Sequence, residues 1–422
     1  MESKFIAATG CVAAALAFGV AACGSSDNGG GGGGGGGSAA KSVTVYSSMP
    51  LQGASRASTG DLVDGAKLAL EQAGGKAGNI KVNYVSLDDS TAQAGKWTPE
   101  ATSANARKAA GDKSTALYIG EFNSGASAVS IPILNEAGVP QISPANTAVG
   151  LTSDKPGAAP GEPQKYYPTG KRNYARIVPI DTIQGAADVQ LMKQNGCTKV
   201  AMVNDKEVYG QGIAGNVTNA AKTAGGLQVV MNDGIDTNAP NYRSLAQKAK
   251  GLGADCFLFA GITASNAVQA TKDFAAALPN AKLFGPDGVC ESGFTDPKEG
   301  GIPTSLDSRF ECTAPTLAPD NYPAEGQQFF KAFKQKYGKD NPDPYAIYGY
   351  EAMRLALDAI KRSKTGAKAD VLKALFDTKN RQSVLGTYSI NQNGDTTLTD
   401  YGSYKVKNGA LTFYQTIKGA QQ

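Results

Sequence analysis

Four polar loops, each following an apolar strand-like run, hold the residues best suited to binding a small molecule. The first loop is IGEFNSGASAVS, in which Ser124 stands at the start of a helix-like run. The first N–H groups of a helix have no partner inside the helix and favour an anion. Ser124 could therefore face a carboxylate, and the simpler alternative is that it only caps the helix.

The other three loops add amide, hydroxyl, aromatic and acidic groups. Asn146 and Thr147 follow a strand-like run in QISPANTAVGLT. Tyr209 opens a helix in VNDKEVYGQG and could stack on an apolar ligand or face a cation. Asp287 lies in the glycine-flanked loop FGPDGVCESG and could pair with an ammonium group. Taken alone, each of these residues is more often structural than functional. A loop Asp, for example, is usually a turn residue.

The composition excludes several kinds of site. The chain has no histidine, which rules out a Ser-His-Asp triad, a Cys-His pair and histidine-ligated zinc. Its net charge is only +4 and no basic block stands out, so we expect no nucleic-acid binding. No GxSxG motif is present. We therefore expect a binding protein without cofactor or metal, with an exported Ser-Lys or paired-carboxylate hydrolase as the alternative.

The elements that would position these loops alternate between two hydrophobic periods. Strand-like runs such as SVTVYSS alternate with helix-like runs such as GDLVDGAKLALEQAGG, which predicts βαβ units and parallel sheets. The alternation stops over 152–174, a segment rich in Pro, Gly and charge that we expect to be a surface excursion, and then restarts. Two α/β sets predict a cleft between two lobes, with the ligand beyond the carboxyl ends of the strands.

The N-terminal segment has the layout of a secretory signal: a lysine near the start, an apolar run, then small residues. Val20-Ala21-Ala22-Cys23 resembles the bacterial lipoprotein box, in which cleavage leaves the cysteine as a lipid-bearing N-terminus. The glycine tract behind it predicts a flexible tether. We expect a signal peptide over 1–22, a lipidated Cys23 with a tether over 23–41, and an extracytoplasmic protein anchored to the cell membrane. An ordinary signal with a chance cysteine is the alternative.

Four further cysteines, an even number in an exported chain, allow three pairings. Cys197 and Cys256 each stand at the start of a strand-like run, and Cys290 and Cys312 flank one loop-rich segment. We favour disulfides between Cys197 and Cys256 and between Cys290 and Cys312. Free buried thiols are the alternative.

Together the motifs resemble a known family. GAKLALEQAGG, YIGEFNSGASAVSIPILNEAGVPQISPANT, ARIVPIDTIQG, VNDKEVYGQGI, FGPDGV and PYAIYGYEAMRLALDAIKRS look like the branched-chain amino-acid-binding family, the type I solute-binding proteins of bacterial ATP-driven importers. The resemblance covers nearly all of 42–418. It implies an α/β fold of two doubly wound parallel-sheet lobes joined by crossings near Ile177, Cys312 and Val384. The implied lobes are 42–177 plus 313–383 and 178–312 plus 384–418.

The resemblance also implies roles for the loop residues. In the family, the helix-start serine and the Ser/Ala-Thr loop bind the ligand's α-carboxylate, which here implicates Ser124, Asn146 and Thr147. The acidic residue of the GP-acid-G loop binds the ammonium, and Asp287 matches it. The tyrosine of YGQG lines the pocket, and Tyr209 matches it. The implied partners are an amino-acid-like ligand and the permease and ATPase subunits of an ABC transporter.

Two loops depart from the family pattern. The PLxG loop is usually followed by an aromatic residue, but PLQGASRASTG offers Arg56 and Ser58. Paired tyrosines are common where FAGITASN has Ile262, Thr263 and Ser265. We therefore expect an amino acid of branched-chain type or a more polar relative, and Arg56 either meets a second acidic group of the ligand or lies on a solvated rim. A sensory module for a membrane signalling partner and a receptor for a small organic acid or amide are the alternatives.

Overall fold

The computed structural model describes residues 40–418. The predicted signal peptide, Cys23 and most of the tether lie outside the described residues. No helix in the described range is long and apolar enough to cross a membrane.

The first lobe is built on a six-stranded sheet. Its strands are β1 (Ser42–Met49), β2 (Lys76–Ala77), β3 (Ile80–Asp88), β4 (Thr115–Ile119), β5 (Gln141–Ser143) and β6 (Tyr174–Arg176). They lie in the order β2–β3–β1–β4–β5–β6, and all neighbouring pairs except β2–β3 are parallel. The connecting helices are α1 (Arg56–Gln72), α2 (Pro99–Gly111) and α3 (Ser124–Glu136).

The second lobe repeats the alternation around a seven-stranded sheet. Its elements are α4 (Asp181–Gln194), β7 (Lys199–Asn204), α5 (Val208–Ala224), β8 (Gln228–Gly234), α6 (Arg243–Gly251), β9 (Cys256–Ala260), α7 (Val268–Ala277), β10 (Lys282–Gly285), α8 (Ser292–Thr295), β11 (Phe310–Ala314), β14 (Asp400–Lys407) and β15 (Ala410–Lys418). The strand order is β15–β14–β11–β10–β9–β7–β8, and the last two strands of the chain are antiparallel additions.

Between β11 and β14 the chain returns to the first lobe. It forms α9 (Ala324–Tyr337), α10 (Ala346–Ser363), α11 (Lys368–Phe376), β12 (Arg381–Ser383) and β13 (Gly386–Tyr388) there. Helix α10 packs closely along α1 because two glycines leave room: a Cβ on Gly65 would lie 2.2 Å from the Ala346 carbonyl oxygen, and one on Gly349 would lie 2.0 Å from that of Leu62.

The chain thus crosses between lobes three times, after β6, after β11 and after β13. The lobes are doubly wound and form the predicted α/β architecture. The third crossing comes later than predicted, because Val384, Tyr388 and Ile390 are all buried in the apolar core of the first lobe. The lobe limits given above stay a proposal, and this packing moves the last one past Ile390.

The 152–174 segment is only partly the surface excursion that its composition predicts. Tyr166 and Tyr167 are buried in an apolar cluster with Ile131 of α3. Gly157 approaches α5 so closely that a Cβ there would lie 2.3 Å from the Asn216 side chain. The buried tyrosines therefore tie this segment to the first lobe, and the close approach at Gly157 ties it to the second.

The four cysteines pair as the sequence favoured. Cys197 bonds to Cys256 with a Cα–Cα separation of 5.8 Å, and Cys290 bonds to Cys312 with a separation of 5.6 Å. The first disulfide ties the chain just before β7 to the start of β9. The second ties the loop after β10 to β11.

Candidate functional site

A small cavity lies between the lobes, at the carboxyl ends of their strands. Ser124 and Thr147 reach it from the first lobe, and Tyr209 and Asp287 reach it from the second. The space between the side chains is about 30 Å³, which holds two or three water molecules. The described arrangement is therefore a nearly closed cleft, and four of the six residues predicted to bind ligand line it.

One end of the cavity is the N-terminus of α3. The loop after β4 turns directly into this helix at Ser124, and the N-cap residue Asn123 makes no side-chain cap hydrogen bond within the described chain. The N–H groups of the first helical turn therefore keep their capacity for an anion. Thr147 adds a buried hydroxyl-bearing side chain from the loop after β5. This end of the cavity suits a carboxylate.

The other end of the cavity is acidic. Asp287 follows β10 and is 7% exposed. The Tyr209 hydroxyl donates to its Oδ1 at 2.6 Å, and the hydroxyl of Tyr345 donates to its Oδ2. Burial raises the pKa of the Asp287 carboxyl, and the two tyrosine hydrogen bonds act in the opposite direction. A ligand cation at this end would stabilise the ionised form.

The Asp287 carboxylate also joins the lobes. Tyr209 opens α5 in the second lobe, whereas Tyr345 immediately precedes α10 in the first. Both tyrosines are buried. A ligand at Asp287 therefore lies where a hydrogen bond between the lobes already exists.

Aromatic side chains form the walls of the cavity. Phe122 meets Tyr345 edge to face with ring centroids 5.3 Å apart. The indole of Trp97 covers Gly125, because a Cβ on this glycine would lie 2.6 Å from the indole Cζ2. Replacing Gly125 by any larger residue would push the indole out of place.

Ion pairs and hydrogen bonds close the cleft around these walls. Lys96 reaches from the first lobe to Glu207 of the second, with Nζ and Oε1 3.1 Å apart. Ser55 donates to Oε1 of Glu291 across the cleft at 2.9 Å. Burial raises the pKa of the Glu291 carboxyl to about 8.

Two residues predicted to bind ligand do not line the cavity. Asn146 is buried behind it, where its amide oxygen accepts from Ser127 and Tyr174 and its Nδ2 donates to the Phe122 carbonyl at 2.8 Å. Its polar atoms are thus hydrogen-bonded within the protein, and Asn146 fixes the position of the loop that carries Phe122. Arg56 has a side chain 63% exposed and pairs with Glu299 at 3.2 Å, so it lies on the rim and not in the cavity.

Three aromatic residues of the cavity were not predicted from the sequence. Trp97 is the single tryptophan of the chain and lies in a loop after a strand, which is a signal that could have identified it. Phe122 lies inside the quoted loop IGEFNSGASAVS beside Ser124. No local sequence pattern identifies Tyr345 as a cavity residue. It reaches the cavity only because the chain returns to the first lobe after β11.

Comparisons with known proteins agree with this architecture. Residues 43–410 match the family model described as periplasmic binding protein. The Leu/Ile/Val-binding protein BraC3 of Rhizobium johnstonii is 27% identical, over 87% of this chain and 93% of that protein.

Solved structures share the fold. The leucine binding protein LivK of Thermotoga maritima superposes with a TM-score of 0.73 at 21% identity, covering 89% of this chain and 99% of that one. A solute binding protein of an ABC transporter from R. palustris, in complex with benzoate, gives 0.70 at 20% identity, covering 90% and 97%. With the family model spanning most of the chain, this protein belongs to the periplasmic binding protein family and has the two-lobed type I fold of its branched-chain amino-acid-binding members.

Proposed function

We propose that this protein is a lipid-anchored, extracytoplasmic receptor that binds an amino acid between its lobes and delivers it to the permease and ATPase subunits of an ABC transporter. The observation that carries the proposal is the polarity of the cavity. The N-terminus of α3 at Ser124 and the buried carboxylate of Asp287 line one small cavity, one from each lobe. An α-amino acid carries the complementary pair of charges.

Closure of the cleft would link binding to delivery. Ser124 and Thr147 belong to one lobe and Tyr209 and Asp287 to the other, so a ligand that contacts all four stabilises the closed state by its differential contacts. Hydrogen bonds between the lobes, such as Ser55 to Glu291, add to the closed state only. A permease that recognises the closed form would then accept loaded protein.

A small aromatic acid is the second candidate ligand. The R. palustris relative is described in complex with benzoate, and the walls of this cavity include Trp97, Phe122 and Tyr345. Such an acid could use the helix terminus at Ser124, but it would leave Asp287 without a cation. The acidic end of the cavity therefore favours an amino acid.

A ligand screen tests the proposal. Thermal shift of the mature protein with the twenty amino acids, benzoate, small dicarboxylates and small amides identifies binders, and calorimetry gives their affinities. We expect one or a few amino acids to bind with micromolar or tighter affinity. Binding of benzoate or a dicarboxylate without binding of any amino acid would refute the proposal.

A paired variant locates the binding. Thr147→Val removes one hydroxyl at the carboxylate end of the cavity, whereas Thr365→Val removes one far from it, on the loop between α10 and α11. The first change should weaken amino-acid binding and the second should not. Equal affinities for both variants would place the ligand elsewhere.

A further inference from the structure

Trp97 lines the cavity and carries a hydrogen-bond donor that nothing in the described chain satisfies. The side chain is 9% exposed and lines the cavity. Its Nε1 atom is buried and has no hydrogen-bond partner among residues 40–418. An indole nitrogen is a donor only, and buried donors are nearly always paired. The missing partner must be an acceptor.

The polar groups around the cavity do not supply that acceptor. The hydroxyls of Tyr209 and Tyr345 donate to Asp287 and keep acceptor lone pairs, but neither accepts from Nε1 in the described arrangement. Glu207 pairs with Lys96 through Oε1, and its Oε2, which would lie 3.2 Å from a Cβ on Gly125, does not accept from Nε1 either. A ligand held in the closed cleft can supply an acceptor beside Nε1.

We propose that Trp97 is a specificity-determining residue, whose indole N–H donates to an oxygen on the ligand's side chain. The preferred ligand is then a small amino acid with a hydroxyl, amide or carboxylate side chain. This inference rests on the proposed function, since the carboxylate and ammonium of the same ligand occupy the Ser124 and Asp287 ends of the cavity.

The cavity also restricts the ligand to a small amino acid. The cavity of about 30 Å³ leaves little room, and the indole occupies the space above Gly125. A branched aliphatic side chain of the same size would place methyl groups against Nε1 and leave this donor desolvated and unpaired. Sites built around a hydrogen bond discriminate strongly against the analogue that lacks it.

Isosteric ligand pairs test the proposal. Threonine against valine, and asparagine against leucine, exchange a side-chain acceptor for a methyl group of similar size. Calorimetry on the wild-type protein should show a preference of at least about tenfold for the polar member of a pair that binds. In Trp97→Phe, which keeps an aromatic ring over Gly125, the preference should fall below about threefold.

A spectroscopic measurement does not depend on a variant that folds. The chain has a single tryptophan, so uniformly ¹⁵N-labelled protein gives one indole N–H resonance. Threonine or asparagine should shift this resonance downfield, as a new hydrogen bond requires, and valine or leucine should not.

The outcomes separate the two proposals. If amino acids bind but show no polar preference, or if Trp97→Phe weakens both members of a pair equally, the indole serves the α-carboxylate or packing alone, and the inference is refuted while the proposed function stands. If none of the four probes and no other amino acid binds, both are refuted.

Discussion

Asp287 is held between two tyrosine hydroxyls in a closed cleft, so its charge can be removed with little change of shape. If it faces a ligand ammonium, Asp287→Asn leaves that cation buried and unpaired, which costs about 2–5 kcal/mol. Affinity for the ligand identified by the screen should then fall roughly 30- to 3,000-fold, since about 1.4 kcal/mol is tenfold. Isothermal calorimetry measures the change.

Asp320→Asn is the matched control for that experiment. Asp320 is exposed in a short turn before α9, so its loss should change affinity less than about threefold. If Asp287→Asn binds as tightly as this control, the ligand has no cation at Asp287, and the search would turn to anionic ligands.

The raised pKa of Glu291 should make the free energy of unfolding depend on pH. Its folded-state pKa, raised to about 8 by burial, exceeds its ordinary value of 4.5, so the folded protein retains a proton that the unfolded chain releases. This contribution is complete below about pH 4.5 and is lost as the pH rises through about 8. Between pH 5.5 and 8.5 the free energy of unfolding should fall by about 3 kcal/mol from this group, at about 1.4 kcal/mol per pKa unit.

Glu291→Gln keeps the neutral shape and the acceptor for Ser55 but cannot ionise. Urea unfolding of this variant at the two pH values should show a clearly smaller difference than the wild-type protein does. Glu136→Gln, on an exposed position of α3, should behave like wild type. A wild-type pH difference in Glu291→Gln would contradict the assignment.

Residues that line the cavity were predictable where a strand end and a helix start adjoin in sequence. Ser124, Thr147, Tyr209 and Asp287 were found in this way, because such junctions face the cleft. Asn146 also follows a strand, but whether its amide faces the cleft or its own loop depends on partners such as Tyr174, which no local pattern specifies.

Helices and strands were predictable in type and approximate position, because their hydrophobic periods are clear. The first helix was expected over 60–75 and runs Arg56–Gln72. Helix α7 starts only at Val268, because Asn266 adopts a φ of 63° and breaks the regular turn before it. The burial of Tyr166 and Tyr167 was missed, since a segment rich in Pro and Gly shows no period.

The two disulfides should differ in the stability that they contribute. They close loops with sequence separations of 59 and 22 residues, which correspond to about 4 and about 3 kcal/mol in the chain-entropy description. Reduction should lower the melting temperature, and the Cys197→Ala/Cys256→Ala pair should lose somewhat more stability than Cys290→Ala/Cys312→Ala. Calorimetric unfolding measures both.

Mass spectrometry of the exported protein provides the check on the bonds themselves. Without reduction, we expect cross-linked peptides that contain the Cys197–Cys256 and Cys290–Cys312 bonds. Four free thiols would contradict both disulfides and the stability difference with them.

The two-lobed organisation followed from the sequence because the α/β alternation occurs twice, with a break between. The point of the last crossing did not, since residues 384–390 carry short β patterns that fit either lobe. Their assignment depends on Val384 and Ile390 finding a place in the first apolar core, which is a tertiary event. Tyr345 lies in the same segment that returns to the first lobe. Its absence from the predicted site and the error in the third crossing therefore have the same cause.

The predicted lipid anchor can be tested on the whole chain. If Cys23 carries the lipid, Cys23→Ala removes every acyl chain at once, and stable anchoring needs two or more such signals. The variant should move from the membrane fraction to the soluble fraction or the medium, while its affinity for ligand stays unchanged because the described lobes are untouched. Cys11→Ala, which changes a cysteine inside the predicted signal, is the control and should leave the protein on the membrane. Membrane association that persists in Cys23→Ala would refute the lipoprotein assignment and favour an uncleaved N-terminal segment as the anchor.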